Sequence, residues 1–234
     1  MASTELVLSH QQLIENPTAR VPICLVLDAS PSMGQAHRGD RETPIEALNV
    51  GVQAFYEAIS KDEMALYAAD IAIITFSDVA RIDADFGSVE RGAPTVSIHR
   101  GGGTSIGGAV DLALDILERR KTQYKETGVD YYQPWLVLMT DGAPTDRTHH
   151  MAGSKASDMV RQKKLTIFPI GVGSQADIQT LGLFSPTRPP LMLQGLRFTE
   201  FFEWLSRSVA ATSRSTPGEA VKLDVEGIKG WAEL

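Results

Sequence analysis

Short apolar runs alternate with polar stretches along this chain of 234 residues. The runs at 22–28 (PICLVLD), 70–78 (DIAIITFSD), 133–141 (QPWLVLMTD) and 165–173 (LTIFPIGVG) are continuous rather than alternating. That is the pattern of parallel strands covered on both faces. Between them the period changes to that of a helix. Ile45, Leu48, Val52, Phe55 and Ile59 recur at spacings of three, four, three and four, one apolar stripe. Thr43-Pro44-Ile45-Glu46 precedes the stripe with a capping box and a proline at the first helical position. Ile106, Val110, Ala113 and Leu117 form a second stripe after a glycine-rich turn, and Phe198, Phe201, Phe202, Leu205 and Val209 a third. Residues 79–86 (VARIDADF) follow the second run after only a tight turn, which predicts an antiparallel hairpin at the sheet edge. Strand and helix alternate, so the expected fold is α/β: a doubly wound, three-layer arrangement around an open, mostly parallel sheet.

Composition narrows the class. With 43% hydrophobic and 22% charged residues the chain has the balance of a globular protein rather than a disordered one. One domain is expected over 21–213, with an extension at 1–20 and a tail at 214–234 packed on or near it through Trp231. A net charge of −7 argues against a general nucleic-acid binder. Cys24 is the only cysteine and lies inside an apolar run, so it reads as a small buried hydrophobe. A disulfide framework or multi-cysteine zinc site is excluded within the chain. No apolar run reaches membrane-spanning length, and the first residues lack both a basic start and a continuous apolar stretch. The expectation is a soluble cytoplasmic protein.

The first apolar run ends in ICLVLDASPSM, where Asp28, Ser30 and Ser32 place oxygen-bearing side chains at alternate positions. In an open α/β sheet, ligands bind beyond the carboxyl ends of the strands, where strand order reverses. Asp141 ends the third run, and Thr104 sits in HRGGGTSIGG, a loop leading into a helix. Three distant segments thereby bring two carboxylates and three hydroxyls toward one edge. Hard oxygen donors without sulfur or imidazole suit Mg²⁺ or Mn²⁺ rather than zinc. Two carboxylates balance a divalent charge. Magnesium keeps exchangeable waters, so a carboxylate from a partner protein could complete its shell.

Asp28-x-Ser30-x-Ser32, Thr104 and Asp141-Gly142 resemble, in that order, the metal-ion-dependent adhesion site of von Willebrand factor A domains. More narrowly, VPICLVLDASPSM, PIEALNVGVQAF, GGGTSIGGAVDLAL, LVLMTDGAPTD and FFEWLSRSVAATSRSTPGE are similar to the bacterial tellurium-resistance branch, the TerY-type proteins. The resemblance implies a six-stranded, mostly parallel sheet with one antiparallel edge strand. It implies direct metal ligation by Ser30, Ser32 and Thr104, with Asp28 and Asp141 often acting through water. It also implies a non-catalytic interaction module, linked to tellurite and other stress responses, with a serine/threonine kinase and a protein phosphatase as partners. Tellurium itself gains no support from the residues, because one cysteine makes no chelating cluster. Two features depart from the family pattern. Pro31 stands where glycine is usual; it donates no N–H and drives Ser30 toward extended angles, so a loop hydrogen bond is expected to be lost. The segment 34–43 (GQAHRGDRET) is longer than expected and should lie near the metal face.

Other readings compete for the same residues. Gly103-Thr104-Ser105-Ile106-Gly107 fits Gly-x-Ser-x-Gly, and Asp141 with His149 or His150 follows in hydrolase order. That reading leaves Asp28, Ser30 and Ser32 without a role. A phosphatase with Asp28 as nucleophile would want an acid two residues on, where Ser30 stands. A metal-independent scaffold using the same face is the main alternative. Gly101–Gly103 and Gly107-Gly108 lack the ending of a Walker loop and are expected to let the backbone approach the metal. Asp78 and Asp146 fall at strand ends, as outer partners of the metal or plain turn residues. Arg38-Gly39-Asp40 spells an integrin-type tripeptide, read as chance. His149-His150 reads as a solvated loop, and Arg119-Arg120-Lys121 and 161–164 as solvated helix ends.

Overall fold

The computed structural model describes residues 13–36, 41–218 and 232–233. The strands are β1 (Val21–Asp28), β2 (Ala69–Phe76), β3 (Ala80–Gly87), β4 (Trp135–Thr140), β5 (Thr166–Val172), β6 (Leu191–Leu193) and β7 (Ala232–Glu233). They form one sheet in the order β3-β2-β1-β4-β5-β6-β7. Strands β2, β1, β4, β5 and β6 run parallel to one another, and β3 pairs antiparallel with β2 at the edge. This is the six-stranded sheet expected. Two residues of the tail extend it, Ala232 and Glu233 pairing antiparallel with Leu193 and Met192. Trp231 and Arg38-Gly39-Asp40 lie outside the described residues.

Every residue of β1, β2 and β4 is buried, which accounts for their continuous apolar character. Side chains alternate between two cores. Ile23, Leu25 and Leu27 face α1 (Pro44–Ser60) and α6 (Phe198–Ser213), whereas Cys24 and Val26 face α3 (Ile106–Thr127) and α4 (His149–Arg161). Each such side chain, fully buried, contributes roughly 1.5–3 kcal/mol. Helix α1 starts where its capping box predicts: the Glu46 N–H donates to Thr43 Oγ1, and the Thr43 N–H to Glu46 Oε2 at 2.8 Å. Phe55 of its stripe packs on Phe202 of α6 with ring centroids 5.5 Å apart. Cys24 is fully buried, and burial pushes its thiol well above its ordinary pKa. No helix among the described residues is long and apolar enough to cross a membrane.

Some elements differ from the sequence reading. Strand β6 has three residues, too few to show a period, and the short helices α2 (Glu63–Ala68) and α5 (Ile178–Gly182) were also not anticipated. His149 and His150 open α4 rather than lying in a loop, their rings 4.2 Å apart. Arg120 is buried, not solvated. Its Nε donates to Asp70 Oδ2 at 2.7 Å, the Tyr124 hydroxyl donates to the same oxygen, and the guanidinium lies 5.2 Å from the Tyr124 ring. Lys121 beside it is largely covered and pairs with Glu118. The segment 161–164 is exposed as expected, and its backbone is unusual: Lys163 has φ 56°, and is the one non-glycine residue with positive φ among those described. The Lys163 N–H donates to the Val160 carbonyl and the Lys164 N–H to that of Met159, the double closure that normally uses glycine.

Two consequences for stability are measurable by chemical denaturation. Asp70→Ala strands a buried guanidinium and should cost about 3–5 kcal/mol. Lys163→Gly removes left-handed strain against a small gain in unfolded-state entropy, and should stabilise by about 0.5–1 kcal/mol.

Candidate metal centre

The order of strands reverses at β1, whose neighbours β2 and β4 lie on opposite sides, so a crevice opens beyond the carboxyl ends of β1 and β4. Asp28 occupies the end of β1 and has no exposed surface. A buried carboxylate needs donors, and it has them on both oxygens. Oδ1 accepts the Ser30 N–H at 2.8 Å and Oδ2 accepts the Thr140 hydroxyl at 2.6 Å. The first bond turns the chain sharply out of the strand. Ser30 is extended, with φ −65° and ψ 160°, as the following proline requires. Pro31 then starts a 3₁₀ turn, Pro31–Gly34, at the position where an N–H is not used. The turn keeps its bonds, Met33 N–H to Ser30 O at 3.0 Å and Gln35 N–H to Ser32 O at 2.9 Å. The loss expected from Pro31 therefore does not fall on this turn.

The turn carries Ser30 and Ser32 across the crevice. Their Oγ atoms are 3.0 Å apart, and the Ser32 hydroxyl donates to Asp141 Oδ1 at 2.9 Å. Asp141 follows β4 directly and is 5% exposed. Thr104, 8% exposed, is tied to the same loop: its N–H donates to Thr145 Oγ1 at 2.8 Å, and the Thr145 N–H to its carbonyl at 3.0 Å. Its Oγ1 lies 3.7 Å from where a Cβ on Gly142 would stand. All five candidate residues thus belong to one edge, and the geometry links Asp28, Ser30, Ser32 and Asp141 through side-chain and turn hydrogen bonds.

Electrostatics make this edge receptive to a cation. Burial pushes the Asp28 carboxyl up to about 6, against the opposing pull of hydrogen bonds from Ser30 and Thr140, and the nearby Asp141 carboxylate raises it further. Two carboxylates brought together out of water favour a divalent ion between or beside them. The donors are all oxygen. Among the described residues no group of three or more His, Cys, Asp or Glu side chains converges, so a nitrogen- and sulfur-rich zinc site is not formed. The residues fit a hard cation held by hydroxyls and carboxylates.

Several roles were not legible in the sequence. Thr140 holds Asp28, although only its neighbour Asp141 had been singled out; its position at the end of the same run was the available signal. Asp78 and Asp146 act on the loops. Asp78 Oδ1 accepts the N–H groups of Gly102 and Gly103, the latter at 2.5 Å, and a Cβ on Gly103 would come within 2.5 Å of that oxygen. Asp146 Oδ2 accepts the Gly108 N–H at 3.1 Å and the Thr148 hydroxyl at 2.5 Å. A Cβ on Gly107 would meet the His149 nitrogen at 2.4 Å. These glycines leave room for the Asp78 side chain and for the start of α4. The hydrolase triad is not assembled. His149 Nδ1 lies 2.6 Å from the Asp146 carbonyl and Asp141 accepts from Ser32, so neither bond leads to Ser105.

Comparison with known proteins agrees with this architecture. Residues 23–189 match the von Willebrand factor type A domain. The human collagen alpha-1(XXI) chain is 26% identical over 112 residues, covering 46% of this chain and 10% of the collagen. The pilus adhesin SpaC from Lactobacillus rhamnosus GG superimposes with a TM-score of 0.65 at 14% identity, over 83% of this chain and 31% of the adhesin. Proximal thread matrix protein 1 from the mussel byssus, in a structure with a zinc-occupied MIDAS motif, gives a TM-score of 0.55 at 16% identity, over 85% of this chain and 47% of that one. The chain thus spans less than half the length of each of these proteins. With the strand order, the crevice and a match across most of its length, this chain belongs to the von Willebrand factor type A domain family.

Proposed function

We propose that the protein is a non-catalytic interaction module that binds Mg²⁺ (or Mn²⁺) through Ser30, Ser32 and Thr104, with Asp28 and Asp141 supplying the balancing charge. The carrying observation is the fully buried Asp28 carboxylate, linked by a single turn and one hydroxyl to Asp141 at the crevice. The ion, when bound, supplies a Lewis-acidic position for a carboxylate from a partner protein. The chain's own part is to keep two carboxylates and three hydroxyls aimed at one place. Domains of this family commonly mediate protein interactions, and the related collagen, adhesin and byssus-thread proteins are consistent with a binding role. The motif stretches quoted from the sequence favour the TerY-like branch, hence a cytoplasmic stress-response setting, tellurite included, with a kinase and a phosphatase as candidate partners. A metal-independent scaffold is the second reading. It is favoured by the Ser30–Ser32–Asp141 bonds, which close the loop without an ion.

Electron paramagnetic resonance with Mn²⁺ separates the two. One bound ion is expected, displaced by Mg²⁺ and absent in Asp28→Ala. Thr104→Ala should weaken Mn²⁺ by about tenfold or more with an unchanged melting temperature, because its hydroxyl lies in a loop rather than a core. No binding by the wild type would leave the scaffold reading.

The sign of the pH dependence follows from Asp28. Its carboxyl is raised from 3.8 to about 6 on folding, so the native state holds this proton more tightly than the unfolded chain. In EDTA, stability should therefore fall as pH rises from 3.8 to about 6, by about 3 kcal/mol. Asp28→Asn should lack this component, and Mg²⁺ at pH 7 should restore the wild type. A metal-free wild type and Asp28→Asn with parallel pH profiles of denaturation would contradict it.

A further inference from the structure

The opposite end of the sheet holds a cavity of about 720 Å³, far from the crevice that carries Asp28. It opens at the amino ends of β4 and β5 and is bounded by the last turns of α3, α4 and α6. Lys121, Lys125, Lys163, Lys164 and Arg188 line it, and no described lining residue is acidic. That concentration of positive charge stands out on a chain whose net charge is −7. Lysines at helix ends ordinarily complement the helix dipole, and Lys121 also pairs with Glu118. Two observations go beyond that ordinary role. Arg188 is not in a helix; its guanidinium lies 5.2 Å from the Phe168 ring, and its Nη1 is buried with no hydrogen-bond acceptor among the described residues. A buried guanidinium N–H without an acceptor is costly and marks a place for an anionic oxygen. Lys163 reaches the rim from a left-handed backbone conformation where glycine would be unstrained.

We propose that this cavity is an anion site that takes a phosphate monoester, its phosphoryl oxygens on Arg188 and the lysine rim and its organic part on the aromatic wall. Several converging cations discriminate for a dianion over a single carboxylate. The volume exceeds that of a phosphate group, and Tyr131, Tyr132 and Trp135 provide the surface for an attached apolar or aromatic group. The face is distinct from the crevice, so the site acts independently of the metal.

The test is calorimetric titration of the full chain with phenyl phosphate in EDTA, which removes metal bridging as an explanation. Saturable binding is expected, about tenfold tighter than for inorganic phosphate or benzoate, and weakening with salt. Arg188→Gln and Lys163→Gly should each weaken it by about fivefold or more, whereas Asp28→Ala should not. Lys163→Gly carries particular weight, because it relieves backbone strain and cannot lose binding through unfolding. Adenosine monophosphate and a phosphotyrosine peptide then separate a nucleotide from a modified side chain as the source. Absence of saturable binding, equal binding of benzoate, or unchanged affinity in both variants would overturn the site.

Discussion

The desolvated carboxylate of Asp28 is the constraint around which the functional edge is arranged. It has no exposed surface because β1 is central and covered on both faces, and a charge so placed must find donors. One oxygen draws in the Ser30 N–H and so sets the turn that carries both serines. The other draws in Thr140 and so ties β1 to the end of β4. Asp141, the next residue, is thereby fixed across the crevice from Ser32. Even with those bonds the carboxyl group is pushed up to about 6, because burial outweighs the donors and the nearby Asp141 carboxylate adds to it.

A second tier of residues holds the loops around this edge. Asp78 gathers the N–H groups of Gly102 and Gly103, and Asp146 joins the start of α3 to the start of α4. Thr145 clasps Thr104 from both sides of its peptide unit. These bonds span separations of 24 to 41 positions along the chain, and together they bring a loop from between β3 and α3 up against the loop after β4. The glycines follow from this, since side chains at Gly103 and Gly107 would occupy the space of an aspartate and of a helix start. The two ends of the sheet have opposite character. The carboxyl end presents carboxylates and hydroxyls, and the amino end presents lysines and an arginine.

Much of the fold and of the candidate site was legible along the chain. Continuous apolar runs marked β1, β2, β4 and β5 because strands buried on both faces admit few polar residues. The capping box and the stripe from Ile45 to Ile59 marked α1, and Asp28, Ser30, Ser32, Thr104 and Asp141 could be assembled from strand ends and order alone. Local chemistry carries such signals. A three-residue strand such as β6 carries none, since pairing with β5 rather than its own pattern makes it a strand.

Sequence by itself therefore determined the alternation of strands and helices and the edge of the sheet where oxygen-bearing side chains collect. These depend on period, caps and neighbours a few residues apart. Only tertiary structure decided that Arg120 is buried on Asp70, fifty positions away, that Thr140 rather than a loop residue secures Asp28, and that lysines from two helix ends face Arg188 across one cavity. Each of those joins groups whose separation along the chain is far larger than any local period. Burial, which sets the energy of a charge, is a property of the packed whole.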